Sequence, residues 1–307
     1  MTAPSSGRQY ELAHGGQRAV VVERGAGLRT YDAGGVPILD GYGRAQEDDG
    51  SRGDLLMPWP NRIANAEYRF AGQEYHLEVT EPRTGSAIHG LTRTKPWRLV
   101  DASGATATLA LDLPSEAGYP FSLAMTATYS LSDSGLAVRV TATNRGEAAC
   151  PFGAGAHPYV RLAGDGMIDD ASLHLPADAT LPADERGIPT GLERSVDNTA
   201  FDFRVSRTVG EVVLDTAFTQ LHADEEGIIR IALTAANGRR GVEVWMDGSH
   251  RYAMIYSGDT LADASRRRRG LAVEPMTCAP DAFNSGAGLI VLQPGETHTS
   301  TWGISQL

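Results

Sequence analysis

Five polar residues lie in stretches of this sequence that otherwise read as buried. Arg62 follows Leu55-Leu56-Met57-Pro58-Trp59-Pro60-Asn61 and precedes Ile63. His89 lies in Ala87-Ile88-His89-Gly90-Leu91, and His157 in Phe152-Gly153-Ala154-Gly155-Ala156-His157-Pro158-Tyr159-Val160. Asp215 lies in Val213-Leu214-Asp215-Thr216-Ala217-Phe218, and Glu274 in Leu271-Ala272-Val273-Glu274-Pro275-Met276. Taking such groups out of water is costly unless they are paired or put to use. Together they supply a carboxylate base, two imidazoles, a cation and a second acid, which are the parts of a proton-transfer site. Each also admits a structural role. Arg62 could be an ion-pair partner, and His89 and His157 core histidines satisfied by backbone carbonyls. Asp215 could open a turn or cap one, and Glu274 could end a strand and face water. Their spacing alone does not show that they converge.

Other chemistries lack their marks. The sequence has no GxGxxG, P-loop or GxSxG motif, so nucleotide binding and a serine-hydrolase elbow are unsupported. Its eight histidines form no HxH, HxxxH or HExxH pair, and no metal is expected. The two cysteines, Cys150 and Cys278, make neither a disulfide framework nor a CxxC site and read as reduced, partly buried thiols. A net charge of −11, from 38 acidic and 27 basic side chains, argues against nucleic-acid or anionic-membrane partners. The first ten residues lack the charged start and apolar run of a signal peptide. No stretch approaches the roughly 18 apolar residues of a membrane span. A cytoplasmic location is the expectation.

The elements that must position these residues are strands. Gly (35) and Pro (16) cut the sequence into short runs, many alternating or rich in β-branched and aromatic residues. Examples are 18–23, 67–70, 74–79, 105–111, 123–131, 136–143, 228–234, 242–246, 253–257 and 289–292. Asn237-Gly238 between two such runs is a hairpin signal. Short helical turns are expected near 61–65 and 259–265. With no repeat and no linker, the reading is all-β: one large single-domain β-sandwich over 1–307, with 1–8 a flexible N-terminus and its large sheets face to face. The four arginines Arg266–Arg269 read as a solvated loop between strands.

At these residues the chain resembles the aldose 1-epimerase (galactose mutarotase) family. The resemblance is carried by Asn61-Arg62-Ile63 with Tyr68-Arg69-Phe70-Ala71-Gly72, by Ile88-His89-Gly90 with Trp97, and by Gly118-Tyr119-Pro120. It continues through His157-Pro158-Tyr159, Val244-Trp245, Ala272-Val273-Glu274-Pro275 and Leu292-Gln293-Pro294-Gly295. No single motif is diagnostic, but the ordered set spans more than 200 residues. The resemblance implies a galactose mutarotase-like supersandwich. It makes Glu274 the general base and His157 the general acid, on opposite sides of a sugar, with no cofactor. Asn61, Arg62, His89, Tyr159 and Asp215 become substrate-binding residues. Asp215 rests on a short match with Asp202 nearby. Where many relatives carry an aromatic after the tyrosine, this chain has Val160 and Arg161, which bears on the choice of sugar.

The implied reaction interconverts α and β anomers of a hexose by ring opening and closure. Burial should raise the pKa of Glu274, while His157 starts from about 6.5. Trp59, Tyr159 and Trp245 are candidates to stack on a sugar face, with core roles equally open. A mutarotase for a charged sugar, such as a hexose 6-phosphate or a sulfonated sugar, would need cations at the rim; Arg44, Arg93 and Arg161 are available. A non-catalytic carbohydrate-binding protein is the third reading. A monomer or homodimer is expected.

Overall fold

The structure, a computed structural model, describes residues 4–46, 49–164 and 166–307. It is built almost wholly of antiparallel strands. Helix among the described residues is confined to the four-residue turn Ala282–Ser285 and three 3-10 turns. The expected turn near 259–265 falls at Ala264–Arg266; near 61–65 the chain makes only a kinked turn at Ala64–Ala66, where Asn65 and Ala66 adopt left-handed backbone.

Nine strands form the larger sheet, in the spatial order Arg98–Ser103, Thr106–Leu113, Leu123–Ser132, Gly135–Asn144, Thr297–Gln306, Gly241–Asp247, Ile228–Thr234, Ser172–His174 and Arg207–Thr208. Burial alternates along Leu123–Ser132 and Ile228–Thr234, as expected of strands with one face on a core and one toward water. The 228–234 and 241–247 strands join through the Asn237-Gly238 turn, where Gly238 adopts φ +65° and the Asn237 side chain accepts from the Arg239 N–H.

The second sheet holds the site. Its order is Arg194–Ser195, Ala177–Leu181, Asp215–Leu221, Tyr252–Tyr256, Leu271–Met276, Gly155–Ala156 and Leu55–Leu56, with Tyr159–Val160 also paired to Leu271–Met276. Residues from both sheets, among them Leu109, Val138, Trp302, Phe218, Ile255 and Val273, share one buried apolar cluster. The Leu271–Met276 strand is buried along its whole length. Leu271 and Val273 enter the shared core. Ala272 and Met276 point the other way, into two smaller clusters with Tyr159 and Leu261, and with Tyr252 and Met254. The period of two puts Glu274 between those clusters, on the face away from the main core.

Several expectations change at this level. Arg266–Arg269 lies in a loop between strands, but two of its arginines are largely buried. Arg266 pairs with Asp49 at 3.2 Å, and Arg268 pairs with Asp169 at 2.9 Å and Asp259 at 3.0 Å, so acidic neighbours draw them inward. Cys150 and Cys278 are fully buried free thiols. Of the expected flexible N-terminus, residues 1–3 lie outside the described residues. Farther on, Arg8 exchanges hydrogen bonds with Glu23. Among the described residues no helix is long and apolar enough to cross a membrane.

Candidate active site

Strand register brings His157 to Glu274. Gly155 pairs with Met276 and Tyr159 with Ala272, so the residue facing Glu274 across the pair is His157. Such neighbours on one face have Cβ atoms roughly 5 Å apart. The imidazole Nε2 lies 3.3 Å from Glu274 Oε1. On the other side the His157 backbone donates to Asp54 O at 3.0 Å and accepts from the Gly53 N–H at 2.9 Å. His157 is therefore held at backbone level on both flanks.

A two-stranded pair brings in the next residues. Arg62 pairs with Ile88 and Ile63 with Ala87, which sets Asn61 beside His89. His89 N–H donates to Asn61 O at 2.8 Å, and the Asn61 N–H donates to His89 Nδ1 at 3.2 Å. With Nδ1 accepting, the proton of neutral His89 sits on Nε2, free to donate to a ligand. Asn61 and His89 both adopt left-handed backbone, with φ +54° and +63°. Gly90 follows at φ +70°, and a Cβ there would lie 1.9 Å from Met57 O, so only glycine fits. The His89 ring meets His157 edge-on at 5.4 Å.

Arg62 is fixed by Glu81. Its Nε and Nη2 donate to the two carboxylate oxygens at 2.6 and 2.8 Å, a bidentate fork, while the Thr84 hydroxyl also donates to Glu81. Burial works against both charges and the shared hydrogen bonds outweigh it. The Arg62 guanidinium is held above its ordinary value and the Glu81 carboxyl below. Asp215 opens its strand opposite Tyr256 and faces the same cleft. Its side chain meets the water of the cleft, yet the walls desolvate it enough to raise its carboxyl, against the pull of Arg62.

Burial pushes Glu274 well above the ordinary carboxylate value; the nearby Asp215 charge adds to this and Arg62 opposes it. Burial also pushes His157 down to about 3, helped by the positive charges of Arg52 and Arg93. His157 starts from an ordinary value of about 6.5 and is carried far below it, because the ring is 5% exposed and its charged form is desolvated. Both shifts favour the neutral forms, a protonated Glu274 beside an unprotonated His157. The residues expected as acid and base do not stand on opposite sides of a sugar. They are neighbours on adjacent strands, and Glu274 lies within its strand rather than at its end.

The cleft of roughly 1050 Å³ is lined by Asn61, Arg62, His89, His157, Asp215 and Glu274, with Tyr159 beside them. It is larger than the 300–1,000 Å³ of typical ligand pockets. Tyr159 is 2% exposed; its ring stacks on His157 at 4.9 Å and its hydroxyl donates to Gly50 O. Trp59 is a core residue against Phe283, and Trp245 lies over Gly303 in the nine-stranded sheet, away from the cleft. Arg93 lines the cleft, whereas Arg44 and Arg161 do not. Asp202 pairs with Arg204 elsewhere. Sequence reasoning missed Glu81, Arg52 and the wall cations Arg83, Arg186 and Arg194. Arg52, buried in the Gly-Ser-Arg-Gly-Asp turn, was hidden because that run reads as a solvated loop. Among the described residues no cluster of three or more His, Cys, Asp or Glu could hold a metal ion.

Residues 8–305 match the family model described as Aldose 1-epimerase. The uncharacterized protein YihR of Escherichia coli K12 is 34% identical, covering 95% of this chain and 91% of that protein. Galactose mutarotase of Rattus norvegicus is 30% identical, covering 87% of this chain and 82% of that protein. A crystal structure of a GalM/aldose epimerase homologue from C. elegans superposes with a TM-score of 0.87 at 20% identity, over 98% of both chains, and supports the fold. On the extent of these matches, the chain belongs to the aldose 1-epimerase family.

Proposed function

We propose that this protein is an aldose 1-epimerase that interconverts the anomers of a free hexose, with Glu274 and His157 as its acid–base pair. The observation that carries the reading is the 3.3 Å contact between the two in a cleft that also presents His89, Arg62 and Asp215. The anomeric hydroxyl and the ring oxygen are bonded to one carbon, so the groups that serve them must be neighbours.

The Glu274 carboxylate takes the proton of the C1 hydroxyl. His157 gives a proton to the ring oxygen as the bond from C1 to that oxygen breaks. The aldehyde forms, C1 turns about its bond to C2, and the steps reverse on the other face. Ring opening converts the charged pair, carboxylate and imidazolium, into the neutral pair. Burial favours that neutral pair, so the protein environment favours the proton arrangement of the open-chain intermediate. Arg62, His89 Nε2 and Asp215 grip the remaining hydroxyls, and Asn61 orients His89. Each positioned acid or base contributes roughly 10²–10⁴-fold. Polarimetry of fresh α-glucose and α-galactose tests the reading, with acceleration expected for at least one. No acceleration across a wider hexose panel would reject it.

A second reading, a mutarotase for an anionic sugar, is favoured by Arg83 and Arg194. Both line the cleft and add positive charge to its wall. Comparing kcat/KM for glucose and glucose 6-phosphate separates the two. A preference for the phosphate of tenfold or more, about 1.4 kcal/mol, would select the anionic substrate.

A further inference from the structure

Behind the cleft lies a buried charge that the proposed reaction does not use. Arg52 is 2% exposed, one of the largest fully buried side chains of the protein. Its Nε donates to Asp49 at 2.7 Å, and its Nη1 donates to the Asp40 carboxylate at 2.8 Å and to Asp40 O at 3.1 Å. Arg266 reaches the same two aspartates. Nη2 has no hydrogen-bond partner among the described residues. The guanidinium carbon instead lies 4.1 Å from the centroid of the Tyr159 ring, a cation–π contact. That ring stacks on His157 with only 16° between the planes.

His157 needs this support. A histidine that moves protons is ordinarily held in plane by a hydrogen bond to its second nitrogen. Here Nδ1 is buried and has no such partner among the described residues. The backbone of His157 is clamped by Gly53 and Asp54, the residues directly after Arg52, but nothing in that clamp fixes rotation of the ring. What touches the ring is Tyr159 on its face, His89 edge-on, and Glu274 at Nε2. Buried ion pairs are weak stabilisers compared with apolar packing, so the Arg52 cluster is poorly explained as a stability device.

This inference rests on the reading of His157 as the acid. We propose that Arg52 is a positioning residue for the acid–base pair: through the Tyr159 ring it fixes the plane of the His157 imidazole against Glu274, without touching the sugar. The charged and titratable groups bearing on His157 are Glu274, His89, Tyr159, Arg52 and Arg93, and the positive charge of Arg52 also discourages protonation of the ring.

The test uses Arg52→Met, Arg52→Lys, Tyr159→Leu and Tyr159→Phe, read by steady-state kinetics and by NMR of the His157 ring signals in histidine-labelled protein. Arg52→Met and Tyr159→Leu are expected to lower kcat on the order of 10-fold or more with little change in KM, and to shift the His157 signals. Arg52→Lys keeps the charge without the planar face and should not recover kcat. Tyr159→Phe keeps the ring and should recover most of what Tyr159→Leu loses. A folded Arg52→Met or Arg52→Lys protein with wild-type kcat, or a loss confined to KM, overturns the proposal. If Arg52→Met fails to fold because Asp40 and Asp49 lose their partner, Arg52→Lys and Tyr159→Leu decide it, since the latter leaves that ion pair intact. If the wild type accelerates no sugar, the functional reading fails. The His157 signals then decide alone, and signals unmoved in the Arg52 variants overturn the positioning role.

Discussion

Burial shifts both members of the pair toward neutrality, and this gives an unusual pH dependence. The proposed reaction starts from a Glu274 carboxylate and a His157 imidazolium beside the closed sugar, the reverse of what burial favours. Glu274 lies well above 4.5 and His157 at about 3. The reactive arrangement is therefore the minor one, because desolvation disfavours both of its charges. Between the two values the pair holds one proton at every pH, so the reactive fraction is small but constant. The rate should form a plateau. It falls on the acid side only as a second proton arrives, near pH 3, and on the basic side as the last proton leaves at the raised Glu274 value. The perturbation is pH itself, and the assay is anomer exchange by NMR magnetisation transfer, alongside nitrogen-15 spectra of His157. His157 should remain unprotonated at pH 5. A His157 that titrates near 6.5 beside a Glu274 already ionised at pH 5 would refute the reasoning, because that is the behaviour of an ordinary acid and base.

Three further outcomes follow from particular contacts. In Glu81→Gln, Arg62 loses its carboxylate fork and is drawn toward Asp215 and Glu274; KM should rise on the order of 10-fold with a smaller change in kcat. An unchanged KM in steady-state kinetics would contradict this. Gly90→Ala forces a Cβ to within 1.9 Å of Met57 O at a φ of +70°, which should cost about 3 kcal/mol or more by urea unfolding. A loss under about 1 kcal/mol would mean that the backbone there yields easily. The folded values of His157 and His89 are depressed, so the unfolded chain binds more protons below 6.5. The stability they contribute is fully present above that value and is lost as pH falls toward 3. The raised Glu274 acts oppositely, losing its contribution as pH climbs from 4.5 through its folded value. Unfolding midpoints between pH 7 and 4 should fall less steeply in His157→Asn than in the wild type, and equal slopes would contradict the assignment.

Much of the fold was legible because period-two burial is written into the sequence. The 228–234 run and its Asn-Gly turn carry their strand signal locally, and both appear in the structure. The site residues were visible as polar groups in apolar runs, since a buried charge stands out wherever its neighbours are hydrophobic. Their chemistry was less legible. The proton affinity of His157 depends on how completely Tyr159, His89 and Glu274 enclose it, and those three lie far apart in sequence. Glu81 and Arg52 sit in segments rich in Gly, Pro and charge, which read as solvated loops. Only the tertiary structure draws them inward, against Arg62 and Tyr159. The Arg266–Arg269 run misled for the same reason, because its half-buried partners Asp49 and Asp169 come from segments 217 and 99 residues away.

The central claim is that Glu274 and His157 open and close a sugar ring. Anomer exchange of glucose and galactose at equilibrium, measured by NMR for the wild type and for Glu274→Gln, tests it most directly. The account predicts exchange well above the spontaneous rate in the wild type and a loss of roughly 10²–10⁴-fold in the variant, with its unfolding midpoint little changed. A folded Glu274→Gln protein that exchanges anomers within a few-fold of the wild type would contradict it.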